Sequence, residues 1–359
     1  MKTDNNDCIP ASVSGGQGTR LTSKAPIKAA FFGNTGPAGE TLEQVYGSQR
    51  FERLRECTDL YPTIVTSQNM DACLPELEDL EVIFATWGLM PLSDAELDRL
   101  RSLRALFYAA GFAGHFARPL LRRGIIVTSS AAANAIPVAE FTLAQILLAN
   151  KGYFRNVREY RETANFAGSY AGPGNYGVTV ALLGAGQIGR KVIELLHPFH
   201  LRVIVFDPYL SEAEAASLGV MKVGIVEAFA HGNIVSNHLA DVPDTLRLID
   251  GCLLASMAPN ATFINTGRGR TVDHDDMISV FRARPDLTAL LDVTDPLEPL
   301  PPDSGLWEVP NIHISSHIAG SRGWEVGRVA DLAIDEFERW RRDEPLRYSI
   351  TLDTLEKTA

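Results

Sequence analysis

Cysteine is scarce in this sequence, and long apolar runs are absent. The 359 residues contain only four cysteines, Cys8, Cys57, Cys73 and Cys252, and no two of them form a C-x-x-C pair. This spacing argues against a disulfide framework and against a zinc site, so we expect free thiols in a reducing compartment. No uninterrupted apolar stretch reaches the roughly 18 residues of a membrane-spanning helix. We therefore expect no contact with a membrane.

An excess of basic residues is also missing. The chain has 44 acidic and 33 basic residues, which gives a net charge of −11. Nucleic acids and anionic membrane surfaces bind clustered Lys and Arg, so this balance argues against both as partners. Residues 1–26 are polar and rich in Gly and Ser, and they lack the apolar core of a signal peptide. We expect a flexible tail there and a cytoplasmic protein.

From residue 27 onward, short apolar runs alternate with helix-like segments. Ser93 and Glu96 have capping-box spacing, which predicts the start of a helix after Ser93. Near-continuous apolar strands separated by helices indicate a parallel sheet that is covered on both faces. The five predicted strands of this first series are IKAAFFG (27–33), TIVTSQ (63–68), VIFATWG (82–88), ALFYAAG (105–111) and GIIVTSS (124–130).

A long apolar-striped segment, residues 137–162, separates this series from a second one. It predicts one long helix with Pro137 near its start, and a Gly/Pro-rich stretch at 167–177 follows it. The second series predicts a doubly wound, dinucleotide-binding sheet, and a final amphipathic helix is predicted within 324–345. The six strands predicted here are VTVALL (178–183), RVIVFD (202–207), NIVSN (233–237), ATFINT (261–266), TALLDV (288–293) and NIHISS (311–316).

A glycine-rich motif opens the second series. Gly184, Gly186 and Gly189 have G-x-G-x-x-G spacing between a strand and a helix, and the next strand ends in Asp207. Such glycines allow a pyrophosphate to approach the backbone, and the helix N-terminus supplies amide donors. The acid at the end of the second strand would accept hydrogen bonds from the adenine ribose. An acid would also repel a 2′-phosphate, so the motif predicts NAD rather than NADP.

An arginine stands between two glycines where a later strand ends. Arg268 follows the strand TFINT, and ligands of open α/β sheets bind beyond the carboxyl ends of strands. A guanidinium binds a carboxylate in a planar, two-pronged manner. Beside a nicotinamide, this predicts an anionic substrate such as a 2-oxo or 2-hydroxy acid. The alternative, a surface arginine in an ion pair, stays open for this residue alone.

Two further strand ends carry acids and a histidine. Asp292, Asp295 and Glu298 follow one strand, and His317 follows the last. Reduction of a ketone needs a proton donor as well as a hydride donor, and histidine suits the first role. A neighbouring carboxylate would orient the imidazole and favour its protonated form. The joint occurrence of these groups at the strand ends of one sheet predicts a catalytic site.

The motifs LLGAGQIGR, FDP, INTGRGRTVD, LDVTDPLEPLP and SSHIAG, with NAIPVAEFTLAQILLANK upstream, occur in the order and spacing of one family. Over about residues 60–345 the chain resembles the D-isomer-specific 2-hydroxyacid dehydrogenases. The resemblance implies a Rossmann doubly wound parallel sheet domain inserted into a smaller flavodoxin-like α/β substrate domain, and a homodimer built around residues 140–175. The expected organisation is a tail at 1–26, a substrate domain at 27–137, an NAD-binding domain at 138–320 and a return to the substrate domain at 321–359.

The resemblance also implies roles for individual residues. Arg268 would bind the substrate carboxylate and carbonyl, His317 would be the general acid and base, and Glu298 would be its partner. Leu297 looks inserted relative to the family pattern, so Asp295 stays an alternative partner. Gly111 and Asn134 would also hold the substrate. The implied cofactor contacts are Gly184, Gly186, Gln187, Ile188, Gly189, Asp207, His238, Thr266, Asp292 and Gly320.

The expected function is therefore an NAD-dependent interconversion of a small 2-oxo acid and its D-2-hydroxy acid. An alternative from another class is a non-enzymatic NAD(H)-sensing scaffold of the same fold, similar to the corepressors of this family. An L-lactate type of dehydrogenase would place the glycine motif near the N-terminus, whereas here it begins at Gly184. That position disfavours the L-lactate type.

Overall fold

The computed structural model describes residues 26–296 and 298–357. The expected tail at 1–26 and the proposed insertion at Leu297 therefore lie outside the described residues, apart from Pro26. Within this part of the chain the strands form two parallel sheets, one of five strands and one of seven. The strands are β1 Ile27–Phe32, β2 Thr58–Leu60, β3 Val82–Ala85, β4 Ala105–Tyr108, β5 Ile126–Ser129, β6 Thr179–Leu183, β7 Arg202–Phe206, β8 Met221–Lys222, β9 Ile234–Asn237, β10 Thr262–Asn265, β11 Thr288–Leu291 and β12 Ile312–Ile314.

Helices alternate with these strands along the chain. The predicted capping box is confirmed, because the Ser93 hydroxyl accepts from the Glu96 amide and the Glu96 carboxylate accepts from the Ser93 amide. The helices are α1 Leu42–Cys57, α2 Met70–Cys73, α3 Asp94–Arg99, α4 Gly114–Arg122, α5 Ala131–Asn150, α6 Tyr153–Thr163, α7 Gln187–Leu196, α8 Glu212–Ser217, α9 Ile225–His231, α10 Gly251–Ala255, α11 His274–Ala283, α12 Val326–Arg341 and α13 Leu352–Lys357.

The strand orders confirm the predicted fold class. The first sheet runs β2-β1-β3-β4-β5, which is the flavodoxin-like order. The second runs β12-β11-β10-β9-β6-β7-β8, which is the doubly wound Rossmann order with β12 added at one edge. Every residue of β3, β4, β6, β9, β10 and β11 is buried, as expected for parallel strands with helices on both faces.

The last long helix returns to the first sheet. Phe337 of α12 packs edge-on against Phe84 and Phe107 of β3 and β4, with ring centroids 5.1 and 5.5 Å apart. Arg50 of α1 forms a two-pronged ion pair with Asp331 of α12, with N–O distances of 2.6 and 2.7 Å. We therefore propose the limits 27–137 and 321–359 for the substrate domain and 138–320 for the NAD-binding domain.

Helix α5 connects the two sheets, and it differs from the helix predicted at 137–162. It begins earlier, at Ala131, and ends at Asn150, because Gly152 adopts a left-handed conformation with φ 72° and α6 starts after it. A Cβ at Gly152 would lie 2.7–2.8 Å from Tyr170 and Gly172, so the break is tightly packed.

By length and composition alone α5 could cross a membrane. In this structure it packs against α7 and α12.

The prediction of a strand at 63–68 is wrong. The edge strand beside β1 is instead β2, Thr58–Leu60, and Val65 forms only an isolated bridge with Phe32. The Thr66 amide donates to the Asn69 side chain at 2.7 Å instead of continuing a ladder. The short edge strand β8, Met221–Lys222, was also not predicted. Both differences lie at sheet edges, where an apolar pattern carries the least information.

Candidate active site

The glycine motif forms a turn between β6 and α7. A Cβ on Gly189 would lie 2.1 Å from Gly184 O, so glycine is required there for α7 to pack against the strand end. A Cβ on Gly186 would have nothing within 4 Å, so this position faces open space. Among the described residues no side chain caps the start of α7, which leaves the amides of Gln187 and Ile188 facing the same space. The turn therefore fits the pyrophosphate of a dinucleotide.

Asp207 lies at the end of β7 beside this turn. One carboxylate oxygen accepts from Ala185 N at 2.7 Å, and the other accepts from Tyr209 N at 2.7 Å and Leu210 N at 3.1 Å. Arg190 Nε donates to Ala185 O at 2.8 Å, so the turn is fixed from both sides. A carboxylate has about four acceptor positions, so Asp207 can still accept from a ribose hydroxyl.

The glycines around Arg268 are explained by close packing of two strand ends. A Cβ on Gly269 would lie 2.1 Å from the Thr294 carbonyl, and one on Gly267 would lie 3.2 Å from Asn237 O. The loops that follow β9, β10 and β11 therefore contact one another through backbone atoms. This packing puts Arg268 at the carboxyl edge of the second sheet, as the sequence predicts.

Arg268 is partly buried in this position, and its Nη1 donates to Gly267 O at 2.9 Å. Burial lowers the pKa of its guanidinium, and the charges of Asp241 and Glu298 act in the opposite direction. An arginine stays charged despite such a shift because its ordinary pKa is above 12. A partly desolvated guanidinium binds a carboxylate more strongly than an exposed one does.

His317 and Glu298 form a direct pair. The distance from His317 Nδ1 to Glu298 Oε2 is 2.6 Å, and Glu298 Oε1 accepts from Thr294 N at 2.9 Å. Burial raises the pKa of Glu298, but the hydrogen bonds from His317 and Thr294, together with the charges of His317 and Arg268, hold the pKa below its usual value. The alternative partner, Asp295, instead contacts His274, whose Nδ1 lies 3.1 Å from the Asp295 carbonyl oxygen.

The loop that carries His317 is held by a buried carboxylate. Asp292, only 2% exposed, accepts from Ser315 Oγ at 2.6 Å and from the amides of Ile318 and Ala319 at 2.8 Å each. The family resemblance implies that Asp292 contacts the cofactor. In the structure its carboxylate also binds the Ser315 hydroxyl before His317 and fixes the two backbone amides after it.

A buried polar chain runs from β9 to helix α5. Thr142 Oγ1 donates to Val138 O at 2.8 Å, so its oxygen accepts from Thr266 Oγ1, which is 3.1 Å away. His238 Nδ1 lies 3.5 Å from Thr266 Oγ1, and His238 Nε2 lies 3.0 Å from Ser236 Oγ. Burial lowers the pKa of His238 to about 4, so the ring is neutral at physiological pH. This network joins two predicted cofactor residues to the helix between the sheets.

The predicted substrate residues of the other sheet lie near the same loop. Asn134 Oδ1 accepts from Ser321 N at 2.9 Å. Cβ positions built on Gly111 and Gly320 would lie 3.6 and 3.3 Å from the Asn134 amide nitrogen. The structure thus brings Gly111, Asn134 and Gly320 together at the cleft between the two sheets.

The comparison with known protein families bears on the second sheet. Residues 143–319 match the model described as "D-isomer specific 2-hydroxyacid dehydrogenase, NAD binding domain". This region, about half of the chain, therefore belongs to the family. The matched region contains the glycine turn, Arg268, Glu298 and His317. NAD is therefore the cofactor of this family member, in agreement with the open turn at Gly186.

Characterised relatives of this family member differ in their substrates. It is 31% identical to the D-3-phosphoglycerate dehydrogenase of Mycobacterium bovis over 201 residues, which is 55% of this chain and 37% of that protein. It is 27% identical to the glyoxylate reductase of Korarchaeum cryptofilum over 241 residues, 66% of this chain and 72% of that protein. The chain thus matches less than half the length of the phosphoglycerate dehydrogenases.

Solved structures agree with the fold of this family member. A phosphoglycerate oxidoreductase from Rhizobium etli superposes with a TM-score of 0.75 at 20% identity, over 92% of this chain and all of that one. A D-lactate dehydrogenase from Treponema pallidum has a TM-score of 0.69 at 18% identity, over 91% of this chain and all of that one. Both similarities concern the arrangement of the two sheets.

Two charged residues at this site were not predicted from the sequence. Arg322 Nη2 donates to His317 O at 2.6 Å, and Arg322 Nη1 donates to Glu40 Oε1 at 2.7 Å. Arg322 lies only five residues beyond His317, so its nearness to the site was readable from the sequence. Glu40 lies in the loop between β1 and α1, and no local pattern connects it with Arg322.

Proposed function

We propose that this chain is an NAD-dependent oxidoreductase that interconverts a small 2-oxo acid and its D-2-hydroxy acid by hydride transfer. The observation that carries this proposal is the His317–Glu298 pair, with its 2.6 Å contact, at the carboxyl edge of the sheet that also presents Arg268. A paired imidazole and a partly buried guanidinium are what reduction of an anionic ketone requires.

Each side chain has a separate task in this reaction. The turn at Gly186 and Asp207 would hold NADH, which would supply the hydride for the carbonyl carbon. Arg268 holds the substrate carboxylate and polarises the carbonyl oxygen. His317 donates a proton to that oxygen in reduction and accepts it in oxidation. Glu298 orients the imidazole through Nδ1, which leaves Nε2 for the substrate.

The preference for NAD over NADP is part of the proposal. Asp207 lies where the adenine ribose binds in this fold, and its negative charge would repel a 2′-phosphate. The two residues that follow Pro208 are Tyr209 and Leu210, and the backbone amides of both donate hydrogen bonds to the Asp207 carboxylate. Neither side chain carries a charge that could bind a phosphate.

We further propose that the protein is a homodimer through α6 and the segment after it. In the described part of the chain α6 has no buried residue. Its Tyr153, Val157 and Tyr160 are 43–49% exposed, and Phe166, which stacks on Tyr160, is 88% exposed. Apolar side chains that share one exposed face mark an interaction surface. A second copy of the chain, related by a twofold axis, would cover this face.

Two variants test the assignment of roles. Arg268→Ala should greatly reduce turnover of a 2-oxo acid and leave NADH binding largely unchanged, because Arg268 is assigned to the substrate. His317→Ala should abolish turnover and should likewise leave NADH binding largely unchanged. NADH consumption measures turnover, and NADH fluorescence measures binding. Normal rates in His317→Ala, or loss of NADH binding in Arg268→Ala with unchanged turnover per bound cofactor, would refute the roles.

A further inference from the structure

Arg322 lies where the chain passes from the second sheet back to α12. We infer that Arg322 is a positioning residue, which holds His317 at the cleft through its main-chain carbonyl, and that Glu40 anchors Arg322. This inference rests on the proposed function, because the position of His317 matters for turnover only if its imidazole exchanges a proton with the substrate.

The backbone of His317 needs external support. Its φ of 56° lies in the left-handed region, which residues other than glycine seldom adopt. Such a conformation persists only where the surrounding structure holds it. Asp292 binds the amides of Ile318 and Ala319, so it fixes the chain after His317. Arg322 Nη2 binds the carbonyl oxygen of His317 itself, at 2.6 Å.

The second terminal nitrogen of the Arg322 guanidinium, Nη1, is bound by the carboxylate of Glu40. Arg322 Nη1 donates to Glu40 Oε1 at 2.7 Å, and Glu40 Oε2 accepts from Ala38 N at 3.1 Å. A Cβ on Gly36 would lie 2.7 Å from Glu40 Oε2, so the loop is wrapped closely around this carboxylate. The Glu40 side chain is only 15% exposed. An ion pair that is partly withdrawn from water is screened less than a surface pair.

The pair joins two parts of the molecule. Glu40 directly precedes Thr41, the N-cap of α1, and α1 is fixed to α12 by the Arg50–Asp331 pair. The guanidinium of Arg322 therefore connects the catalytic loop after β12 with the first sheet and its helices. Two partners on one planar group require arginine, since a lysine ammonium has no comparable fork.

Steady-state kinetics of five variants test this inference. Arg322→Gln should lower kcat by about tenfold or more, since misplacement of a catalytic group costs rate, and change the Kd for NADH by less than about twofold. Arg322→Lys should give an intermediate kcat. Glu40→Gln should also lower kcat, and adding it to Arg322→Gln should cause little further loss because the two act as one unit. Arg328→Gln, at an exposed arginine of α12, is the matched control and should keep the wild-type kcat.

A spectroscopic measurement separates positioning from a general loss of structure. With ¹³C-labelled histidine, the ring resonance of His317 is assigned by its disappearance in His317→Gln. Its chemical shift should change in Arg322→Gln and stay at the wild-type value in Arg328→Gln. The thermal unfolding midpoint, measured in parallel, should be similar for both variants.

The results distinguish this inference from the proposed function. A wild-type kcat in Arg322→Gln, or an unchanged His317 ring resonance, would overturn the positioning role while leaving the proposed function intact. Strictly additive losses from Arg322→Gln and Glu40→Gln would overturn the anchoring by Glu40. If the wild-type chain reduces no 2-oxo acid, the proposed function fails, and the ring resonance still decides whether Arg322 places His317.

Discussion

Two glycines of the phosphate turn should respond in opposite ways to the same substitution. At Gly186 a new Cβ would meet nothing within 4 Å, and the backbone has φ −73° and ψ −162°, which alanine adopts without strain. We expect Gly186→Ala to change the free energy of unfolding by less than about 1 kcal/mol. The methyl group would, however, occupy the space assigned to the pyrophosphate. The Kd for NADH should therefore rise by about tenfold or more, which corresponds to at least about 1.4 kcal/mol.

At Gly189 the same methyl group would lie 2.1 Å from Gly184 O. Cβ atoms in real proteins essentially never come closer than 3.0 Å to another heavy atom. The obstacle is a backbone atom, which cannot rotate away, so α7 would have to shift from the strand end. Overpacking of this kind costs on the order of 1–3 kcal/mol or more. We therefore expect Gly189→Ala to lower the free energy of unfolding by at least about 1 kcal/mol.

Urea denaturation measures the stability of both variants, and a fluorescence titration with NADH measures binding. The structure predicts that Gly186→Ala is stable and binds NADH poorly, and that Gly189→Ala is unstable. Normal NADH affinity in a stable Gly186→Ala protein would refute the placement of the pyrophosphate at this turn. Wild-type stability of Gly189→Ala would refute the packing of α7 described above.

Three further predictions concern acid stability, the rate of turnover and assembly. Burial lowers the pKa of His238 from 6.5 to about 4, so only the unfolded chain takes up this proton between those pH values, and His238 alone should cost about 3 kcal/mol of stability as the pH drops through this window. Urea denaturation should therefore show a smaller acid-induced loss in His238→Gln than in wild type or His200→Gln, and an equal loss in all three would contradict the burial of a neutral His238. Glu298→Gln should lower kcat while NADH binding stays unchanged, since the 2.6 Å contact between Glu298 Oε2 and His317 Nδ1 orients the imidazole, and a wild-type kcat would contradict the pairing. Phe166→Glu should convert a dimer into monomers in sedimentation velocity, whereas Tyr209→Glu, at another exposed aromatic residue, should not; a dimeric Phe166→Glu protein would place the interface elsewhere.

Much of the fold was predictable because parallel strands buried on both faces are marked by continuous apolar runs. All six strands predicted for the second sheet occur there, and their carboxyl ends carry the predicted polar residues. The failures have local causes. The run 63–68 is apolar enough for a strand, but Thr66 bonds to Asn69 and ends the pairing. The helix predicted at 137–162 breaks at Gly152, where packing against Tyr170 decides the conformation.

The site was predictable where its residues follow strand ends. Arg268, Glu298 and His317 lie in separate strand-end loops, and the sheet topology brings such loops together. The Arg322–Glu40 pair was not predictable, since its members are 282 residues apart and only the packing of α1 against α12 brings them together. The second task of Asp292, which fixes the amides after His317, likewise depends on loop geometry that no spacing reveals.

Consumption of NADH by the purified protein is the most direct test of the proposed activity. The panel is glyoxylate, hydroxypyruvate, pyruvate and phenylpyruvate, with NADPH in parallel and His317→Ala as the matched control. We predict that at least one of these 2-oxo acids is reduced with NADH, more slowly with NADPH, and not at all by His317→Ala. If none is reduced while NADH still binds, the activity is contradicted and the NAD(H)-sensing scaffold becomes the better account.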